Sequence, residues 1–269
     1  MARTRKSHAG TALITGASSG IGEALARRFA REGHPLVLVA RSVDRLDALA
    51  AELTAAHGVS VAVRPADLAR PDAARGLAAA LKRRRIGIDV LVNNAGVLQH
   101  GAFTATPPER HQALIDLNVS ALTAMLAQFL PPMCMRGSGR ILNVASIASF
   151  QPVPGLAIYA ATKAYVLSLT ESLSEELKGS GVTVTALCPG ITATHMLTAA
   201  AEGNARLGKL PAFLVGDAGQ VADAGYRACM QGQTICVPGA VNEAVTLAAR
   251  AAPKWLLRRV AGKLARSVS

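Results

Sequence analysis

Across 269 residues the chain is 51% hydrophobic with mean hydropathy +0.30 and only 3% aromatic, enough for one substantial core built from Ala, Leu, Val and Ile. The net charge of +12 sits largely at the ends: Arg3, Arg5 and Lys6 open the chain, Lys254, Arg258, Arg259, Lys263 and Arg266 close it, neither stretch holds an acid, and the body between carries about +4. That distribution argues against a nucleic-acid binder, which needs a basic face interleaved with aromatics or a reading motif, and no uninterrupted apolar run reaches the ~18 residues of a membrane span.

Residues 1–8 read as a disordered basic tail, since the apolar stretch behind the charges is too short for a signal peptide and runs into glycines. Thr11–Thr15 is a short apolar run, Gly16-Ala-Ser-Ser-Gly20-Ile-Gly22 a glycine turn, and Glu23–Arg31 has helical periodicity. Strand, glycine turn and helix in that order suit a dinucleotide pyrophosphate, because glycines permit the tight turn and close approach while the helix N-terminus offers oriented N–H groups. The second strand, Pro35–Ala40, ends where such folds place an acid for the adenosine 2′-hydroxyl; here Ala40 is followed by Arg41, whose guanidinium suits a 2′-phosphate instead.

Val59–Arg64 is a third strand with Asp67 and Leu68 just beyond it, and Ile88–Val92 a fourth ending in Asn93-Asn94-Ala95-Gly96. Pro107 to Leu130 is mostly helical, with Asn118 inside it as a core amide or a bend toward a site. Arg140–Ala145 is the fifth strand and delivers Ser146 to its end. In the helix Ala157–Lys178, Tyr159 and Lys163 stand four apart on one face, roughly 5–6 Å apart at Cβ. A fixed ammonium beside a phenol favours the phenolate, which makes Tyr159 an acid/base group. With the Ser146 hydroxyl the pair can protonate a carbonyl oxygen or deprotonate an alcohol.

Val182–Leu187 is the sixth strand, broken by Cys188-Pro189-Gly190, and residues 191–216 form an excursion expected to cover a site. Gln233–Val237 is the seventh strand. Strands alternating with helices imply an α/β, doubly wound parallel sheet in a single domain over 9–252, with ligands beyond the carboxyl ends of the strands. The four cysteines form no C-x-x-C pair and fall in apolar segments, which fits a reducing cytoplasm; His100, His111 and His195 have no acid or cysteine arranged with them as for a metal.

With Thr15-Gly-Ala-Ser-Ser-Gly-Ile-Gly22, Asn93-Asn-Ala-Gly96, Ser146, Tyr159-x-x-x-Lys163 and Pro189-Gly190 in one order, the chain resembles the short-chain dehydrogenase/reductase family over about residues 9–237. The resemblance implies a Rossmann-type fold and a catalytic set of Ser146, Tyr159 and Lys163, with Asn118 as fourth member. Gly16, Ser18, Ser19, Gly20, Ile21 and Gly22 would meet the pyrophosphate and ribose, Asp67 and Leu68 the adenine, and Asn94, Ala95 and Gly96 the adenosine side. Pro189, Gly190, Ile191 and Thr194 would line the nicotinamide, with Lys163 on its ribose, and Arg41 looks like the NADP-selecting residue. The glycine spacing is that of the non-extended branch, and the tail after Cys236 looks like hydroxysteroid and long-chain 3-ketoacyl reductase relatives. A homodimer or homotetramer is the family expectation.

Three functional readings fit these residues. The first is an NADP(H)-dependent oxidoreductase acting on an apolar carbonyl or alcohol, because Val97-Leu98, Ile147-Ala148, Val153–Leu156, Met196-Leu197 and Leu207–Val215 are nearly free of charge. The others are a non-catalytic NADP-binding sensor and an NAD-linked alcohol dehydrogenase. Read as a helix, residues 253–269 put Leu256, Leu257, Val260, Ala261 and Leu264 on one side and five cations around the other, which fits an anionic membrane surface or packing against the protein's own body or a second subunit.

Overall fold

The computed structural model describes residues 9–192 and 216–253, with Trp255, Leu257, Arg258, Arg259 and Gly262 beyond them. Thr194, His195, most of the 191–216 excursion, the 1–8 tail and the greater part of the 253–269 segment therefore lie outside the described residues.

Seven strands, β1 (Ala12–Thr15), β2 (Leu36–Ala40), β3 (Val61–Pro65), β4 (Val90–Asn93), β5 (Gly139–Val144), β6 (Val182–Leu187) and β7 (Ile235–Cys236), form one sheet in the order β3-β2-β1-β4-β5-β6-β7. Every pairing is parallel. The helices α1 (Gly20–Arg31), α2 (Val43–His57), α3 (Ala73–Arg83), α4 (Pro108–Ile115), α5 (Leu122–Met135), α6 (Ala157–Glu176), α7 (Ala218–Gln231) and α8 (Ala240–Ala251) connect or follow the strands. This is the doubly wound Rossmann-type domain.

The central strands read as continuous apolar runs because both faces are buried. Leu13, Val37, Leu91, Ile141 and Val184 point to one side, under Leu81 of α3, Met125 and Phe129 of α5 and Val166 of α6. Ile14, Leu38, Val92 and Leu142 point to the other, under Leu25 and Phe29 of α1, Leu46 of α2 and Cys229 of α7. Strand β3 is only half-buried and ends in Pro65, a residue tolerated at an edge where no ladder bond is required.

The chain from Pro108 to Met135 is continuously helical, longer than a pattern ending at Leu130 suggests. Pro131 and Pro132 lie inside α5 but face outward, where water can take the freed carbonyls, while Met133 in the core holds the last turn. An 18-residue window of this 28-residue helix has mean hydropathy 1.5, apolar enough by composition to cross a bilayer, a property that a search for uninterrupted runs overlooks because polar residues punctuate it. Its buried face serves the sheet instead, through Leu122, Met125, Leu126, Phe129 and Met133.

Helix α1 starts at Gly20, earlier than its apolar periodicity indicates, since the glycine turn itself forms the first helical residues. Gly16 and Gly20 have φ of +66° and +59°, the left-handed region that favours glycine. Gly22 needs its missing side chain for space: a Cβ there would lie 2.2 Å from the Gly16 carbonyl oxygen and 2.4 Å from Asn94 Nδ2. Gly22→Ala is therefore expected to cost about 1–3 kcal/mol of stability. Thermal unfolding checks this, and an unchanged midpoint would mean that the turn yields without strain.

Candidate active site

The carboxyl ends of the strands open into a cavity of about 720 Å³. At one end, Gly16, Ser18, Ser19, Gly20 and Ile21 line it at the start of α1. The N-cap Ser19 makes no side-chain bond to its own helix, so the first N–H groups of α1 remain available to an anion. Gly22 stands behind the cavity lining, where its missing side chain lets α1 pack on the turn.

Arg41 lines the cavity just past β2, exposed, and no ion pair involves it among the described residues. Beside it is Ser42, the N-cap of α2, whose hydroxyl caps nothing. Ser42 is absent from the site residues expected from sequence, although an N-cap serine directly after a basic residue is a legible anion-binding signal. Asp67 and Leu68 line the same end below β3, and Asp67 also accepts the Ala69 amide at 3.2 Å.

Asn94, Ala95 and Gly96 form the cavity floor between the two ends. Asn94 Nδ2 donates to the carbonyls of Thr15 and Gly16 at 2.9 and 3.3 Å, so its amide ties the glycine turn to β4. The Thr15 hydroxyl accepts the amides of Asn94 and Ala95, both at 2.9 Å, and completes that clamp.

The reactive end brings four predicted residues together. Ser146 lies two residues past β5 and caps the short 3-10 turn Ile147–Phe150 by accepting the Ala148 amide at 3.1 Å. Tyr159, from the first turn of α6, lines the cavity with Ser146, whose side chain is near enough to influence the phenol. Lys163 Nζ, one turn further on, donates to the Val144 carbonyl at 2.7 Å and lies 5.8 Å from the Tyr159 ring centre. Asn118 sits in a π-helical turn, Asp116–Ala121, between α4 and α5. A methyl on Gly96 would come 3.1 Å from Asn118 Oδ1 and 3.6 Å from Lys163 Nζ, so glycine there lets amide and ammonium approach one point.

Asn118 is held rigidly: it accepts the Val97 amide and donates to the Val97 carbonyl, both at 2.9 Å, and donates to the Thr162 hydroxyl at 3.2 Å. Thr162 in turn donates to the Tyr159 carbonyl at 2.8 Å. Thr162, not singled out from sequence, thus joins the π-helical turn to the tyrosine's own turn of α6.

Burial sets the electrostatics. It pushes the Tyr159 hydroxyl above its ordinary range, and the Ser146 hydroxyl only partly offsets this. The direction is opposite to that expected from the neighbouring ammonium alone, because burial of the phenol itself is the largest cause. Burial brings the Lys163 ammonium down to about 8. Cys188 and Cys229 are pushed up to about 12, again by burial, and behave as small hydrophobes.

Pro189, Gly190, Ile191 and Thr192 border the cavity after β6. Thr194 lies outside the described residues, yet the Gly216 amide donates to the Ile191 carbonyl at 2.7 Å, so the 193–215 excursion leaves and returns beside the cavity. Val97, Leu98, Ile147, Ala148, Val153 and Leu156 supply the apolar wall, joined by Ala113 and Leu117 from the helix side. Gln151 is a polar lining residue that no sequence signal marks. His100 and His111 stand apart, the latter stacked on Phe103 at 4.5 Å.

The family model for short chain dehydrogenases matches residues 10–205, and the chain belongs to that family. It is similar to a short-chain dehydrogenase from Sphingobium yanoikuyae solved in complex with NADPH: 40% identical, TM-score 0.80, covering 90% of this chain and 93% of that one. A bulky-bulky ketone specific alcohol dehydrogenase from Comamonas testosteroni is 35% identical with TM-score 0.77, covering 91% and 93%. A serine 3-dehydrogenase of Agrobacterium fabrum is 37% identical over 200 residues, 72% of this chain and 77% of that protein. The chain is accordingly an oxidoreductase acting on alcohol or carbonyl groups with a nicotinamide cofactor.

Proposed function

We propose that the chain is an NADPH-dependent reductase of bulky apolar ketones or aldehydes, with Tyr159 as proton donor. The observation that carries this reading is one cavity with two contrasting ends: Arg41 and the uncapped Ser42 past β2, and Tyr159, Ser146, Lys163 and Asn118 beside an apolar wall. The residues fit the cofactor, because the free α1 N-terminus suits a pyrophosphate and Arg41 a 2′-phosphate. Similarity to the NADPH-bound and bulky-ketone relatives supports both halves.

When bound, the dinucleotide supplies the hydride at the carbonyl carbon. The Ser146 hydroxyl holds the carbonyl oxygen, and the Tyr159 hydroxyl, kept protonated by burial, gives that oxygen its proton. Lys163 would hold the ribose side and return a proton to the phenol, while Asn118, fixed by Val97 and Thr162, would position the water that resupplies the lysine. The apolar wall disfavours a charged substrate, whose desolvation would be costly.

A panel of aldehydes, steroid ketones and 3-oxoacyl thioesters, run with NADPH and NADH, tests the substrate class, and a clear preference for small polyols would overturn it. A pH series tests the lysine. Its ammonium is present below about 8 and lost above it, so NADPH affinity is expected to hold up to that pH and then fall as the charge disappears. An affinity that stays constant well above that pH in a fluorescence titration would remove Lys163 from the cofactor site.

A further inference from the structure

Helix α8 is partnered on one side only. Asn242 packs so closely on Gly190 that a methyl there would lie 2.6 Å from its amide. Thr246 and Ala249 are buried, and Arg250 reaches over the Phe150 ring at 5.8 Å and toward Glu171 at 3.9 Å. The solvent-facing arc carries Val241, Val245 and Ala248 along one line at i, i+4 and i+7, with Leu247 further round it, all exposed. Four of the nine exposed large apolar residues among the described ones, Val241, Val245, Leu247 and Trp255, fall within 241–255, so this is a patch rather than ordinary scatter.

The residues immediately C-terminal to the patch decide its partner. From Lys254 to the end there are five cations and no acid. Arg258 and Arg259 are exposed, and the Arg259 guanidinium lies 5.6 Å from the Trp255 ring. A second copy placed on this face would bring its own Arg258 and Arg259 against these, and a nucleic acid would have no use for the valines. An apolar face flanked by cations, with a tryptophan at the boundary, matches the layering of hydrocarbon, headgroup and phosphate.

We propose that α8, with Trp255, Arg258 and Arg259 after it, forms a docking surface for an anionic lipid bilayer. The surface begins one helix earlier than the 253–269 stripe indicates. Because α8 packs on Gly190 and on the 147–150 turn, docking would set the cavity rim near the lipid; that consequence rests on the apolar-substrate reading, whereas docking itself does not.

Trp255 is the chain's single tryptophan, so its emission reports the surface directly. The full chain would be titrated with phosphatidylglycerol/phosphatidylcholine vesicles and with phosphatidylcholine alone at physiological salt, alongside co-sedimentation. A blue shift and pelleting with the anionic vesicles only are expected. The exposed variants V241S/V245S and R258Q/R259Q should each lower partitioning by about fivefold or more while NADPH binding is unchanged. Equal partitioning of V241S/V245S and the parent chain, equal binding to neutral vesicles, or no binding at all would overturn the proposal. So would a drop in oligomer size on V241S/V245S without vesicle binding, which would assign the face to a second copy.

Discussion

Tyr159→Phe is expected to lower turnover about 10²–10⁴-fold, the range for losing a positioned general acid, while leaving NADPH affinity nearly unchanged. The separation comes from geometry. The ring is buried against Leu114, Ala148 and Ala160, and phenylalanine keeps that packing. Only the hydroxyl facing Ser146 disappears. Because burial raises rather than lowers this phenol, the parent enzyme should be strongest in the reductive direction at neutral pH, where the donor is protonated. Steady-state kinetics and cofactor titration of the same preparation provide the check, and retained turnover would remove Tyr159 from the chemistry.

Arg41→Asp should lower the NADPH-to-NADH ratio of kcat/KM by about 10²-fold, since a charge-assisted bond of ~1.5–3 kcal/mol to the 2′-phosphate is replaced by repulsion. Arg41 is exposed and has no ion-pair partner among the described residues, so the substitution disturbs little else. Ser42 should retain some phosphate affinity, which makes NADPH binding weak rather than absent. An unchanged ratio would mean that Arg41 is a solvated surface residue.

The sheet is legible in the sequence because its strands are buried on both faces and leave unbroken apolar runs; Ser146, Tyr159 and Lys163 are legible because they follow a strand or sit at fixed helical spacing, whereas Asn118 is marked only by the family resemblance. Other features depend on tertiary context. Nothing in Ile115-Asp-Leu-Asn-Val119 distinguishes a π-helical turn from ordinary helix; the turn is evident only where Asn118 pairs with Val97 and Thr162. Spacing alone gives the wrong direction for the Tyr159 shift, because it shows the nearby ammonium and not the burial of both groups. The close approach of Gly22 to the Gly16 carbonyl and Asn94 is likewise visible only in the fold, because a glycine needed for packing and one needed for a ligand look alike in sequence. The prolines of α5 suggest a stop, but their outward orientation lets the helix run on.

The most direct measurement is the stoichiometry of alcohol formed per NADPH oxidised with a bulky apolar ketone, using the parent chain and Tyr159→Phe side by side. One alcohol per NADPH in the parent, with both rates lost together in the variant, is the expected result. NADPH bound tightly by both proteins with no alcohol formed from any ketone in the panel would contradict it and favour a cofactor-sensing protein over an enzyme.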